Sequence, residues 1–423
     1  MIHIPPEIAD LIIGNTHNAH VFHSSLPDKN TLTSCSLVCQ SWRPFAQKRL
    51  FEEVRLDIKF RPLDQSLAFL ESSPHIAAAI RSLYIHTHTS RSCLSVDPDE
   101  SDTENRPKEP QVSPILLMKI AAQLSPRTRL HLETFTLLGW PSDTPLPTTP
   151  IRLHKLWLFN VVYKPFSSPQ TASFDLISLF ELDEIHVLGG RMLDTTDVAR
   201  RLDVLVLPVA TRPVARSFFF HGSDCFAACN LQCGGFDPEH LKSVVFSLRD
   251  LASLQFFSKL LRLQGTGIRD VRLDISYGLP HVQKGTDHWD TFAIAACIRL
   301  ESLRLEWQHV GVIPGTQEQD FNACERIAVI LASTPQTLRN LTFSLPHMHH
   351  PGALGDTLGC LAPRIDQAVD RFRGLRRITV MVTRFKLFAA EECMKVVRST
   401  LPTRLLDSGV LQIENMPFLG LSL

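Results

Sequence analysis

At 423 residues and 47.6 kDa, with 44% hydrophobic and 20% charged residues, the chain exceeds one average domain and can bury a large core. Lys plus Arg (43) balances Asp plus Glu (43), so no net field favours nucleic acid or an anionic membrane, and no basic funnel is visible in the sequence. No apolar run reaches the about 18 residues of a membrane span, and the N-terminus lacks the basic and long apolar regions of a signal peptide. A cytoplasmic or nuclear protein is expected, with its 10 dispersed cysteines reduced and mostly buried.

The chain opens Ile4-Pro5-Pro6-Glu7-Ile8. The prolines suit the first turn of a helix, where a missing N–H leaves no bond unmade, and Glu7 suits its positive end. Ile4, Ile8, Leu11 and Ile12 then share one face. Residues 14–30 read as an extended polar loop. Its His17, His20 and His23 lack the thiolate or carboxylate partners of a fixed metal geometry. A second helix is predicted from about Thr31 to Ser41, with Leu32, Cys35, Val38, Cys39 and Trp42 at helical spacing. Pro44 stops it or begins a third helix carrying Phe45, Arg49 and Leu50, which leads into a short strand through Leu56. By periodicity alone, a three-helix cap with every apolar face satisfied internally fits these stripes better, since helical stripes are usually core.

The order of Ile4-Pro5-Pro6-Glu7-Ile8, Cys35-Ser36-Leu37-Val38-Cys39-Gln40-Ser41-Trp42 and Leu50-Phe51-Glu52-Glu53-Val54-Arg55-Leu56 resembles an F-box of the type common in large fungal families. Ile4 stands where that pattern has leucine, a conservative departure. The resemblance covers the first 57 residues. It implies docking to a Skp-type adaptor of a cullin-RING ubiquitin ligase through Ile4, Pro5, Pro6, Ile8, Leu37, Val38, Cys39 and Trp42. Internal packing is the alternative role for Trp42.

Ten segments of the remainder share an aliphatic residue, a polar one, then alternating apolar positions: 80–85, 132–137, 153–158, 182–187, 202–207, 241–246, 268–273, 300–305, 338–343 and 375–380. Nine of the ten carry Arg, Lys, Asp or Glu at the second position, an excess that chance at 20% charge does not produce. Helix-like stretches at 112–124, 250–263, 321–332, 365–372 and 389–397 lie between them. Strand, helix, strand, repeated, means parallel neighbours, each unit too small to bury its own face. The body resembles a degenerate leucine-rich-repeat array without the asparagine ladder of the standard repeat. A compact α/β domain with a conventional parallel sheet is the alternative. The expected fold is therefore α/β, with a three-helix head over 1–57 and an irregular solenoid over 58–423 whose strands line a concave face. Residues 97–111 form an acidic loop expected to be disordered, and 141–150 a proline-rich connector.

No Gly-rich phosphate loop, Gly-x-Ser-x-Gly elbow or His-Glu-x-x-His sequence is present. His221, Cys225, Cys229 and Cys233 recur every four residues, which would align them on one helical face, but the series has no second half for a zinc site and reads as buried thiols. His347, His349 and His350 sit between Pro346 and Pro351 in a polar loop. No catalysis, cofactor or metal is expected. The expected function is a substrate receptor of the ligase, holding an unidentified protein target and contacting neither nucleic acid nor membrane. A scaffold with no ligase engagement is the alternative, and a metal-dependent enzyme a more distant one. Positions between the inward apolar residues of each strand should meet the target: Tyr84, Lys155, Trp157, Asp270, Arg272, Ser302, Arg304, Asn340, Thr342, Arg377 and Thr379. Tyr84 and Trp157 would supply the largest contact area, unless a flanking loop buries them.

Overall fold

A computed structural model of the chain describes residues 11, 29–38, 40, 42–87, 110–138, 149–164, 176–188, 191–192, 213–221, 236–247, 251–275, 292–306, 317–345, 351–383, 390–407 and 409–416. The chain divides into two compact units, Met1–Ile185 with Gly190–Thr195, and His186–Gly189 with Thr196–Leu423.

The first unit begins with two helices, Lys29–Val38 and Arg43–Leu50. Leu32 and Ala46 form their buried core, against which Cys35, Trp42, Phe45 and Leu50 pack. The first of these helices is described to Val38; Cys39 and Ser41, to which periodicity extended it, lie outside the described residues. The next helix is under way by Trp42, whose carbonyl accepts the Ala46 N–H at 3.0 Å, and Pro44 suits that helix's first turn.

Strand β1 (Glu53–Asp57) follows directly and pairs in parallel with β2 (Ser82–His86), so the strand expected to close the head is the first rung of the sheet. Helices Leu63–Ser72 and Pro74–Ala79 connect the two. The ladder continues through β4 (Arg129–Glu133) and β6 (Ile151–Phe159), with β3 (Gln111–Val112) and helix Pro114–Gln123 preceding β4. Leu83, Leu130 and Leu156 fall on register, as do Ile85, Leu132 and Leu158, and all six are buried. Side chains alternate across a strand, so parallel registry of like residues turns each alternating pattern into a continuous apolar row.

The expected strand 132–137 is a corner instead. β4 ends at Glu133, Thr134 turns with φ 55, Phe135 is buried, and β5 (Thr136–Leu138) begins a second sheet. A threonine at positive φ is uncommon. It is fixed here by its N–H donating to the Phe159 carbonyl at 2.9 Å and by the Thr87 hydroxyl donating to its own carbonyl. Asn160, with φ 48, makes the equivalent turn after β6 into β7 (Val162–Lys164). β3, β5, β7 and β9 (Arg191–Met192) pair in parallel as a small second sheet, which periodicity did not reveal. Gln111, assigned to the acidic loop, belongs to this sheet, and 97–109 lies outside the described residues.

Strand β8 (Phe180–Leu188) spans the division between the units. In the second unit β10 (Val214–His221), β11 (Ser243–Ser247), β12 (Asp270–Asp274), β13 (Ser302–Glu306), β14 (Asn340–Leu345), β15 (Arg377–Thr383) and β16 (Leu411–Met416) pair in parallel in chain order. Val244, Val271, Leu303, Leu341 and Ile378 make one buried row, and Phe246, Leu273, Leu305, Phe343 and Val380 another. Helices Leu251–Gln264, Gln317–Ser333, Pro351–Arg371 and Ala390–Thr400 cross between successive strands. The third of these is much longer than the predicted 365–372. Phenylalanine, abundant at 25 residues, fills the apolar side: Phe218, Phe220, Phe236, Phe246, Phe256, Phe257 and Phe292 form one connected ring cluster, Phe246 and Phe257 with centroids 4.0 Å apart. The turn into β12 requires glycine, since a Cβ at Gly267 would lie 2.2 Å from the Pro238 carbonyl oxygen.

Two strands of this unit, β10 and β16, are absent from the repeat pattern. β10 also overturns the helical alignment expected of His221, which closes that strand. Cys225, Cys229 and Cys233, the candidate strand 202–207, and the His347, His349 and His350 cluster lie outside the described residues.

Candidate functional site

The side of each unit's strands opposite the apolar rows carries polar and aromatic residues at alternate positions. In the first unit the register places Arg55 beside Tyr84, Tyr84 beside His131 and His131 beside Trp157. Rungs about 4.8 Å apart hold flat rings at stacking distance. Tyr84 and His131 stack with centroids 4.1 Å apart, His131 and Trp157 at 5.6 Å. Arg55 lies over the Tyr84 ring at 4.9 Å and the Lys155 ammonium over Trp157 at 4.8 Å, so a cation caps each end. Glu53 holds Arg55 through Nε and Nη2, and Glu184 holds Lys155 at 3.3 Å.

Burial first, then Lys155, Arg129 and Arg55, push the His131 imidazole down to about 4, so it is neutral near pH 7. Its Nε2 is buried without a hydrogen-bond partner. Burial and then Glu53 raise the Tyr84 phenol above its usual range, keeping it a donor. Ring faces are thus occupied by one another and by the capping cations, and ring edges and polar tips are what this surface offers a partner.

In the second unit the nominated residues also share the polar side. Arg272 donates to Glu306 from Nε at 2.7 Å and from Nη2 at 3.0 Å, a bidentate pair. Arg304 lies 3.7 Å from the same carboxylate and donates from Nη2 to the Ser344 hydroxyl at 3.2 Å. Burial and then Arg272 lower its guanidinium below the usual value. Asp270 accepts from the Ser243 hydroxyl at 3.0 Å. Ser302, Asn340 and Thr342 are half-buried and Arg377 exposed, whereas Thr379 is 4% exposed and offers a partner almost nothing.

Arg55 and His131 were missed, the latter because the predicted strand began at Leu132. The alternation Arg129-Leu130-His131-Leu132-Glu133 carries the signal that would have placed it. Glu306, one residue past the end of the repeat pattern, was missed for the same reason.

Of the residues the F-box resemblance singles out, Leu37 and Trp42 have described surroundings. Leu37 is 81% exposed on the face it shares with Thr33 and Ser34, while Trp42 packs on the Leu32 and Ala46 core. Thr33 and Ser34 return their hydroxyls to the carbonyls of Lys29 and Asn30, leaving Leu37 as the apolar group that face presents. Ile4, Pro5, Pro6, Ile8 and Cys39, with His17, His20 and His23, lie outside the described residues. Leu11 is 63% exposed.

Among the described residues no group of three or more His, Cys, Asp or Glu side chains could hold a metal ion, and no helix is long and apolar enough to cross a membrane. The thiol of fully buried Cys297 is pushed up to about 12 by that burial, which removes it as a nucleophile at neutral pH.

No protein-family model matches the chain, and no curated protein matches it. Among solved structures, the leucine-rich repeat-containing protein LegL7 from Legionella pneumophila aligns with 86% of this chain and 91% of its own, at 12% identity and a TM-score of 0.38. A similarity that low leaves the account of the fold to the strand ladders themselves.

Proposed function

We propose that the chain is a non-catalytic substrate receptor of a cullin-RING ubiquitin ligase. In this reading its N-terminal helices dock a Skp-type adaptor, and the polar side of its repeated parallel strands holds a protein target. The observation that carries the reading is Leu37: a large aliphatic side chain left 81% exposed on the same helix whose Leu32 is buried against Ala46 and whose Cys35 packs partly buried on that core. The order of residues resembling an F-box supports it, with Leu37 in the segment that resemblance assigns to adaptor contact. The body supplies rigid parallel strands whose outward side chains are fixed by neighbouring rungs, a frame suited to a partner. Catalysis is then by proximity, since a frame that holds target and ligase together raises their effective concentration without chemistry of its own.

Co-expression of the full chain with a Skp-type adaptor tests this. The two should co-purify, and Leu37→Asp should abolish the complex without lowering the melting temperature, because the leucine contributes almost nothing to the core. A folded chain that retains no adaptor would leave a protein-interaction scaffold without ligase engagement.

A further inference from the structure

In the second unit, the residues immediately preceding the repeat strands, with their register partner in β10, fall on one row. The Lys242 N–H donates to the Arg216 carbonyl at 2.9 Å, Arg269 to Lys242 at 2.8 Å, Glu301 to Arg269 at 2.8 Å, Arg339 to Glu301 at 2.9 Å and Arg376 to Arg339 at 2.8 Å. Six successive rungs therefore read Arg, Lys, Arg, Glu, Arg, Arg. Arg377 adds a further cation beside the last. Arg216, Arg269, Arg339, Arg376 and Arg377 are exposed and Lys242 half-buried. Within the row Arg269 pairs with Glu301 at 3.7 Å. No ion pair joins Arg216, Lys242, Arg339, Arg376 or Arg377 to a carboxylate among the described residues. The acidic groups nearest in sequence are engaged or displaced from the row: Asp270 accepts from Ser243, Asp237 pairs with His240 at 3.0 Å, and Glu239 sits in the turn before Leu241.

The corresponding row of the first unit is built differently. There Arg81 pairs with Glu52 at 3.4 Å, Thr128 is neutral, and His154 pairs with Asp183 at 2.9 Å. Like charges on adjacent rungs, about 4.8 Å apart, are destabilising. In this row the first unit avoids them and the second retains them, although the chain as a whole is neutral.

We propose that this basic row is a docking strip for an acidic, extended segment of a partner protein. Six rungs span roughly 24 Å, the length of about seven residues of extended chain, and carboxylate side chains are the complement of a line of guanidinium groups. A single-stranded nucleic acid calls for aromatic platforms interleaved with the cations. This row contains none, and the unit's described phenylalanine rings are not free to serve as platforms: Phe219 stacks on His186 at 3.9 Å, and the others are buried, most in the phenylalanine cluster and Phe343 and Phe372 elsewhere in the core. The strip sharpens the proposed receptor reading by naming the chemistry of the target, and it requires an interaction protein but no ligase.

The test is fluorescence anisotropy of the purified full chain with a labelled oligoglutamate of about eight residues, against an oligoglutamine of equal length, across a salt series. The expected result is binding of the acidic peptide alone, weakening as salt rises. Arg339→Glu combined with Arg376→Glu should lower the affinity about tenfold or more, while Arg81→Glu leaves it unchanged. Both reversed side chains are exposed, so the melting temperature should hold. Should the double reversal unfold the chain, Arg339→Gln with Arg376→Gln must still weaken binding. Leu37→Asp should not alter oligoglutamate binding, which separates this strip from the adaptor surface. Tighter binding of an oligothymidine that is lost in the same variants would overturn the proposal in favour of nucleic acid. Oligoglutamate binding indifferent to the reversals would remove the row as the site.

Discussion

Acidification from about pH 7.5 to about 4.5 should cost the first unit on the order of 2.5 kcal/mol through His131 alone. The unfolded imidazole titrates at its ordinary value of 6.5, the folded one at about 4, held down by burial between Tyr84 and Trp157 and by Lys155, Arg129 and Arg55. The unfolded state therefore takes up the proton first. The stabilisation is complete above the unfolded value and is lost as pH falls from 6.5 toward about 4, with a ceiling near 3 kcal/mol. His131→Phe keeps a flat ring on the rung and removes the proton site. Urea unfolding followed by intrinsic fluorescence, wild type against His131→Phe across this range, isolates the histidine because every other titrating group is common to both. The wild-type midpoint should drop relative to the variant as pH falls. Parallel profiles would refute the stacked, desolvated placement of His131.

Gly267→Ala forces a Cβ to within 2.2 Å of the Pro238 carbonyl oxygen and should destabilise the second unit by roughly 3 kcal/mol or more, read by thermal melting and limited proteolysis. Gly359→Ala, whose Cβ would rest 3.9 Å from Thr400 Cγ2 in ordinary contact, should leave stability unchanged or raise it by up to about 1 kcal/mol. Leu303→Ala, in the fully buried row between Val271 and Leu341, should lower unfolding free energy by about 2–5 kcal/mol, against less than about 0.5 for the exposed Leu37→Ala.

Much of the ladder was legible because its signal is periodic. In Leu300-Glu301-Ser302-Leu303-Arg304-Leu305, and in its counterparts at 241–246, 268–273 and 338–343, the first leucine or isoleucine is buried just before the strand. The fourth and sixth residues make the buried rows, and the third and fifth lie on the other side, half-buried except for Val245, which is 7% exposed. The second position, whose excess of charge was visible at once, proves to be the row on which the basic strip stands. Its sign pattern acquires meaning only when parallel register brings Arg339 beside Arg376 across the intervening helix. β10 escaped notice because Ser-Phe-Phe-Phe breaks the alternation, and the second sheet because two- and three-residue strands carry no period. The corner at Thr134 depends on the hydroxyl of Thr87, 47 residues away in sequence, which no local pattern encodes.

The most direct measurement is a calorimetric titration of the purified chain with a purified Skp-type adaptor. The account predicts saturable one-to-one binding that Leu37→Asp eliminates while leaving the melting temperature and oligoglutamate binding intact. An absence of heat from a folded wild-type chain, or binding unaffected by Leu37→Asp, would contradict it.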